Sequence, residues 1–170
     1  MTDFAFLEEI GKQFQLDVTE QDQSVVLKDR KTNAVIEVFR ESYLSSDGED
    51  GFLRYTVSFA TQHRHFDCGL DARGLADAEE LRETEADVET YLRQILLDER
   101  LPIEFYRGDG QSFGGELTKN EYENLSMELL SGRFGYSADL LSQYSFEIHS
   151  WSGRYDLKRM RVSELPPRKG

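Results

Sequence analysis

Apolar residues fall at Phe6, Ile10 and Phe14, with Phe4 and Leu7 beside them. That i, i+4, i+8 spacing predicts an amphipathic helix of about three turns. Thr2 or Asp3 stands where a helix cap belongs. Gly11 either weakens the helix by about 1 kcal/mol relative to alanine or marks a close approach. The period then shortens to two. β-Branched runs at Ser24–Lys28 and 34–39 flank Asp29-Arg-Lys-Thr-Asn33, which predicts a hairpin with a slightly long loop. Residues 45–51, rich in Ser, Asp and Gly, read as a turn or loop. Leu53, Tyr55, Val57 and Phe59 then alternate with Arg54, Thr56 and Ser58, the clearest half-buried strand in the chain. No Gly or Pro interrupts 52–68, so the segment is one long strand or two joined by a bend near Thr61-Gln62.

Residues 71–83 are acidic and poorly periodic and read as a linker with at most a short helix at 75–81. Thr84-Glu-Ala-Asp87 has capping chemistry. Val88, Tyr91, Leu92, Ile95 and Leu96 form the stripe of a helix that Pro102 ends. A short strand at 103–106 and a glycine loop at 107–115 come next. Thr118 and Glu121 make a capping box for a helix stopping at Gly132, and a short helix is expected at 138–143. Segments 146–151 and 154–162 read as a terminal hairpin, and 166–170 as a frayed tail. Strands and helices do not alternate one for one, and hairpin signals dominate. The predicted fold class is therefore α+β: a single domain over 1–165, mainly antiparallel sheet with helices packed on one face.

Charge narrows the function. Thirty-three Asp and Glu against 20 Lys and Arg give a net charge of −13 on 170 residues. Nucleic acids and anionic membranes are polyanions, so neither is the expected partner; a basic protein is. Eleven Phe, eight Tyr and one Trp supply a real core. The single cysteine, Cys68, excludes an internal disulfide and reads as a small buried hydrophobe in a reducing compartment. The opening residues are acidic where a secretory signal is basic, and no stretch approaches the roughly 18 apolar residues of a membrane span. The expected location is the cytoplasm.

Four places carry candidate chemistry. In His63-Arg-His65-Phe-Asp67 a strand turns His63, His65 and Asp67 to one face, and with His149 they form a candidate zinc site. The ordinary alternative is an exposed polar strand face. The string resembles the HxHxD part of the metallo-β-lactamase motif over five positions. Cys68 stands where that family has His, and three histidines cannot supply its ligands, so that family is excluded. Gly108-Asp-Gly110 through Gly115 has the placement of a phosphate cradle but no following Lys, and Asp109 and Glu116 repel phosphate. It reads as a turn or a partner-contact loop. Glu79, Glu80, Glu83, Glu85, Asp87 and Glu89 form an acidic run with only Arg82 among them. This is either a solvated face or a docking surface for a basic partner. Trp151 is a core anchor or a binding hot spot.

The expected function is a non-catalytic acidic protein-binding domain of inhibitor or immunity type. Its partner-binding residues are the six acids with Asp109 and Trp151, and it needs no cofactor. In size, charge and element order the chain is similar to immunity proteins of bacterial toxin systems. It is also similar to acidic secretion chaperones, whose chains open helix–strand–strand–strand; the long C-terminal half departs from them. The alternative is a small metal-binding or metal-dependent enzyme built on His63, His65, Asp67 and His149.

Overall fold

The structure is a computed structural model that describes residues 4–44, 51–71 and 73–167. The expected Thr2 or Asp3 cap, the 45–50 part of the loop and residues 168–170 of the tail lie outside the described residues. The fold is α+β with two antiparallel sheets. The chain divides into two compact units, Met1–Leu96 and Leu97–Gly170, each with its own sheet.

The first unit opens with α1 (Ala5–Phe14), which buries Leu7, Ile10 and Gly11. A Cβ on Gly11 would lie 2.2 Å from Val18 Cγ2, so this glycine marks a close approach. Val18 belongs to β1 (Asp17–Glu20), a strand the hydrophobic pattern does not predict, because all four of its residues are exposed. It starts an antiparallel meander, β1-β2-β3-β4-β5, with β2 at Ser24–Lys28 and β3 at Val35–Leu44. The 52–68 run is two strands, β4 (Gly51–Phe59) and β5 (Gln62–Leu70). They reverse at Ala60, whose φ of 53° is left-handed without a glycine to announce it.

One face of this sheet is buried, through Val25, Leu27, Ile36, Val38, Leu53, Tyr55 and Val57. Both helices of the unit lie on it. Phe4 and Phe6 meet the Tyr55 ring edge-on at 6.5 and 6.1 Å, and the Tyr55 hydroxyl donates to Glu85 of α2 at 2.9 Å. Helix α2 (Ala78–Leu96) starts six residues before the expected Thr84. Asp77 is the cap, its carboxylate accepting from the amides of Glu79 and Glu80 at 2.8 and 3.2 Å. Thr84 is buried in the helix interior. The helix ends at Leu96, well before Pro102.

The second unit holds the sheet β7-β6-β8-β9. Its strands are β6 (Arg100–Arg107), β7 (Ser112–Thr118), β8 (Tyr144–Ile148) and β9 (Leu157–Arg161). Pro102 sits inside β6 at the end of the β8 ladder, which begins at Ile103; its carbonyl accepts from the His149 amide at 3.0 Å. The expected glycine loop is a hairpin instead. It turns at Gly110 (φ 87°), and Gly114 and Gly115 lie within β7. A Cβ on Gly115 would come within 2.5 Å of Phe134 Cε1, so the glycine makes room for that ring.

The Thr118–Glu121 capping box forms as expected and opens α3 (Lys119–Glu123). The helix expected to run to Gly132 is broken after α3. Ser126 accepts from the Leu129 amide and caps α4 (Met127–Phe134), which ends at Gly135 with φ 73°. Helix α5 (Ala138–Leu141) follows. Leu130 and Leu141 close one core with Leu101, Ile103, Phe105, Leu117, Phe146 and Ile148.

Candidate functional site

Strand β5 carries His63, His65 and Asp67 on one exposed face, as the alternation requires. The two imidazoles lie side by side, ring centroids 5.1 Å apart. His65 Nδ1 is 2.9 Å from Thr56 Oγ1. Asp67 takes the Arg54 guanidinium on both oxygens, at 2.7 and 2.9 Å. Those hydrogen bonds hold its carboxyl below the usual carboxylate range. Arg54 in turn lies over Phe52 at 4.7 Å and Tyr43 at 5.5 Å. The carboxylate is thus engaged by a cation across the β4–β5 pair. His149 belongs to the second unit, just past β8. Among the described residues no group of three or more His, Cys, Asp and Glu side chains is placed to hold a metal ion.

His149 has other company. Its Nε2 lies 4.0 Å from Glu147 Oε2. Glu147 stands opposite Glu104 in the β6–β8 register, and Arg159 of β9 bonds Glu147 at 3.1 Å while covering the Tyr106 ring at 4.0 Å. Glu104 Oε2 and His149 Nε2 are buried without a hydrogen-bond partner among the described residues. Burial, with Glu104 beside it, pushes the Tyr106 phenol up. No motif signals this group, since its members come from three strands. Within the unit, Arg159 of β9 answers Glu147.

The six acids of the run all lie on α2, but they divide by role. Glu80 accepts from the Gly69 amide of β5 at 2.8 Å. Glu85 accepts from Tyr55. Glu89 pairs with Arg93 one turn on at 2.6 Å, and Arg93 also donates to Gln13 of α1. These three acids anchor the helix. Glu79, Glu83 and Asp87 recur at i, i+4, i+8, are exposed, and meet no cation among the described residues.

Asp109 sits in the β6–β7 turn. The Arg107 guanidinium beside it and the Gln111 amide hold its carboxyl down to about 2. Its charge is therefore spent locally. Trp151 is 6% exposed, so its ring is packed inside the protein and not presented to a partner. Cys68 is buried, and burial pushes its thiol up, as suits a packed hydrophobe.

Strand β5 is the edge strand of its sheet, a placement set by sheet order. The described surface also carries shallow clefts. One of about 630 Å³ lies between α1 and β1, lined by Phe4, Lys12, Leu16 and Val18. Another, of about 600 Å³, lies in the second unit, lined by Tyr122, Leu125, Leu129, Leu157 and Met160. No described helix is long and apolar enough to cross a membrane. The chain matches no protein-family model, no curated protein and no solved structure.

Proposed function

We propose that this is a non-catalytic, protein-binding domain of the cytoplasm that docks a basic partner protein against α2, in the manner of an inhibitor or immunity protein. The observation that carries the reading is the stripe Glu79, Glu83 and Asp87. Three like charges one turn apart repel one another by a few tenths of a kcal/mol per pair. None of the three forms an ion pair among the described residues, whereas Glu80, Glu85 and Glu89 are all engaged inside the unit. A cation-rich surface would relieve it on binding. The net charge of −13 adds long-range attraction for such a partner and disfavours a nucleic acid. Asp109 and Trp151 leave the docking set, the first because Arg107 engages it and the second because it is buried.

The test is recovery of partners by the tagged protein from its native lysate at low salt and at about 0.5 M salt, where exposed charge pairs are screened. A basic protein held at low salt and released at high salt is the expected result. Recovery of partners only in a salt-insensitive manner would overturn the reading.

A further inference from the structure

The open edge of β5 supplies what the acidic stripe lacks, a template with direction and register. We infer that residues 63–67 of β5 receive an extended segment of the basic partner as an added β-strand, with Glu83 and Asp87 of α2 reading lysines or arginines at every second position of it. This rests on the docking reading above and names the form in which the partner is held.

The backbone parity of β5 carries the inference. In an antiparallel strand the N–H and C=O of one residue point to the same side, and successive residues alternate. The Gly69 amide donates to Glu80 and the Asp71 amide to the Leu75 carbonyl, not toward β4. Odd-numbered residues of β5 therefore turn their polar groups outward. At one end this edge is closed by Glu80 and by the Leu70–Ala76 bridge. Along His63, His65 and Asp67 the side chains are exposed, and no described residue bonds their backbone groups. Such an open row is a template for another strand.

Helix α2 flanks this row with negative charge. Tyr91 and Glu80 turn toward β5, the first against Phe66 at 5.6 Å and the second onto Gly69. Glu85 and Arg93 turn the opposite way, toward Tyr55 of β4 and Gln13 of α1. At 3.6 residues per turn, Asp87 lies about 40° and Glu83 about 80° round the helix from Tyr91, on the side away from Glu85. Both acids thus stand on the flank beside the open edge. Arg64 of β5 lies over the Tyr91 and Phe66 rings at 5.1 and 5.5 Å, so its cation is stacked on aromatic faces.

A strand added about 4.8 Å from β5 alternates its side chains between the two faces of the sheet. One set meets Glu83 and Asp87, which selects Lys or Arg at every second position. The other set lies beside His63 and His65, which selects uncharged residues. A second copy of this chain is disfavoured at the edge, because each copy carries −13.

The probe is a fluorescein-labelled peptide alternating lysine with threonine or valine, followed by anisotropy and by amide NMR of the whole protein. Binding with the largest shifts at His63, His65 and Asp67 is expected. N-methylation of the peptide amides that face β5 should weaken binding at least about tenfold at unchanged charge. His65→Pro should do the same, since the amide it removes points away from β4. The N-methylated peptide keeps the test independent of how that variant folds. Equal affinity of the parent and N-methylated peptides, or shifts confined to α2, would overturn strand addition and leave the acidic docking reading standing. Binding of neither peptide, together with no salt-sensitive partner in the lysate, would overturn both. Dimers of the chain alone, lost in His65→Pro, would assign the edge to a second copy and overturn the partner assignment.

Discussion

Phe105→Ala in β6 tests the packing of the second unit at its centre. Phe105 is 0% exposed, and its ring stacks on Phe113 at 4.5 Å, meets Phe134 edge-on at 5.2 Å and tilts toward Phe146 at 6.0 Å. Truncating a buried phenylalanine costs roughly 3–5 kcal/mol from lost transfer energy and the cavity left behind. Each aromatic pair adds about 0.5–1.5 kcal/mol beyond burial, which places this site near the top of that range. Such a loss is a large share of the roughly 5–15 kcal/mol that holds a domain together. With a urea dependence of about 2 kcal/mol per M, the midpoint should fall by about 2 M. Trp151 is the only tryptophan, belongs to the second unit's stretch of chain and is buried, so its fluorescence should change when that unit unfolds. Phe105→Leu keeps part of the ring's volume and should lose roughly half as much. A loss below about 1 kcal/mol for Phe105→Ala, or equal losses for the two variants, would refute the placement of this ring at the core's centre.

Gly11→Ala should destabilise α1 by about 1–3 kcal/mol despite alanine's better helix propensity, because the new methyl meets Val18 Cγ2. Val18→Ala in the same chain should recover most of that, measured by thermal melts as a double-mutant cycle. Ser126→Ala removes the cap of α4 and should cost about 1 kcal/mol in the second unit, read by the same tryptophan signal. The Asp109 carboxyl should titrate near 2 by NMR and return toward the usual carboxylate range in Arg107→Gln. Its pKa is lowered in the fold, so the favourable charge pairing is present above the ordinary carboxylate pKa and is lost only as pH falls through about 2. Cys68 should resist iodoacetamide in the native protein and react rapidly in urea, as burial and the nearby Glu80 both push its thiol up.

Where side-chain alternation is set by burial on one face, the elements were legible. The β2–β3 hairpin and the Thr118 capping box follow from residue pattern alone, and the 52–68 and terminal segments read as strands; the reversal at Ala60 and the long 149–156 connection, where 146–151 and 154–162 are expected to pair, do not. Strand β1 was not legible, because with all four side chains exposed it has no buried face to impose a period. Its pairing with β2 and the Gly11–Val18 contact hold it instead. The start of α2 was hidden because buried Thr84 takes a position where an apolar residue would have extended the stripe, while the acids of the first turns favour the helix N-terminus. Strand β7 was masked by Gly114 and Gly115, and Gly115 answers a tertiary demand, the ring of Phe134. No Gly-, Pro- or Ser-rich stretch marks the division between Leu96 and Leu97. At the candidate site, the shared face of His63, His65 and Asp67 was legible from strand parity. That Arg54 occupies Asp67 depends on the β4–β5 register, and that β5 is an edge depends on sheet order. The acidic run was visible as composition, but only the helix phase separates the anchoring acids from Glu79, Glu83 and Asp87.

The most direct measurement is a lysate capture run side by side with the native protein and a Glu79→Gln, Glu83→Gln, Asp87→Asn variant, quantified by mass spectrometry at low salt. These three exposed acids anchor nothing among the described residues, so the variant should fold as the parent does. A basic protein enriched by the parent and depleted at least about tenfold with the variant is the expected result. Equal recovery of the same proteins by both would contradict docking on this face of α2.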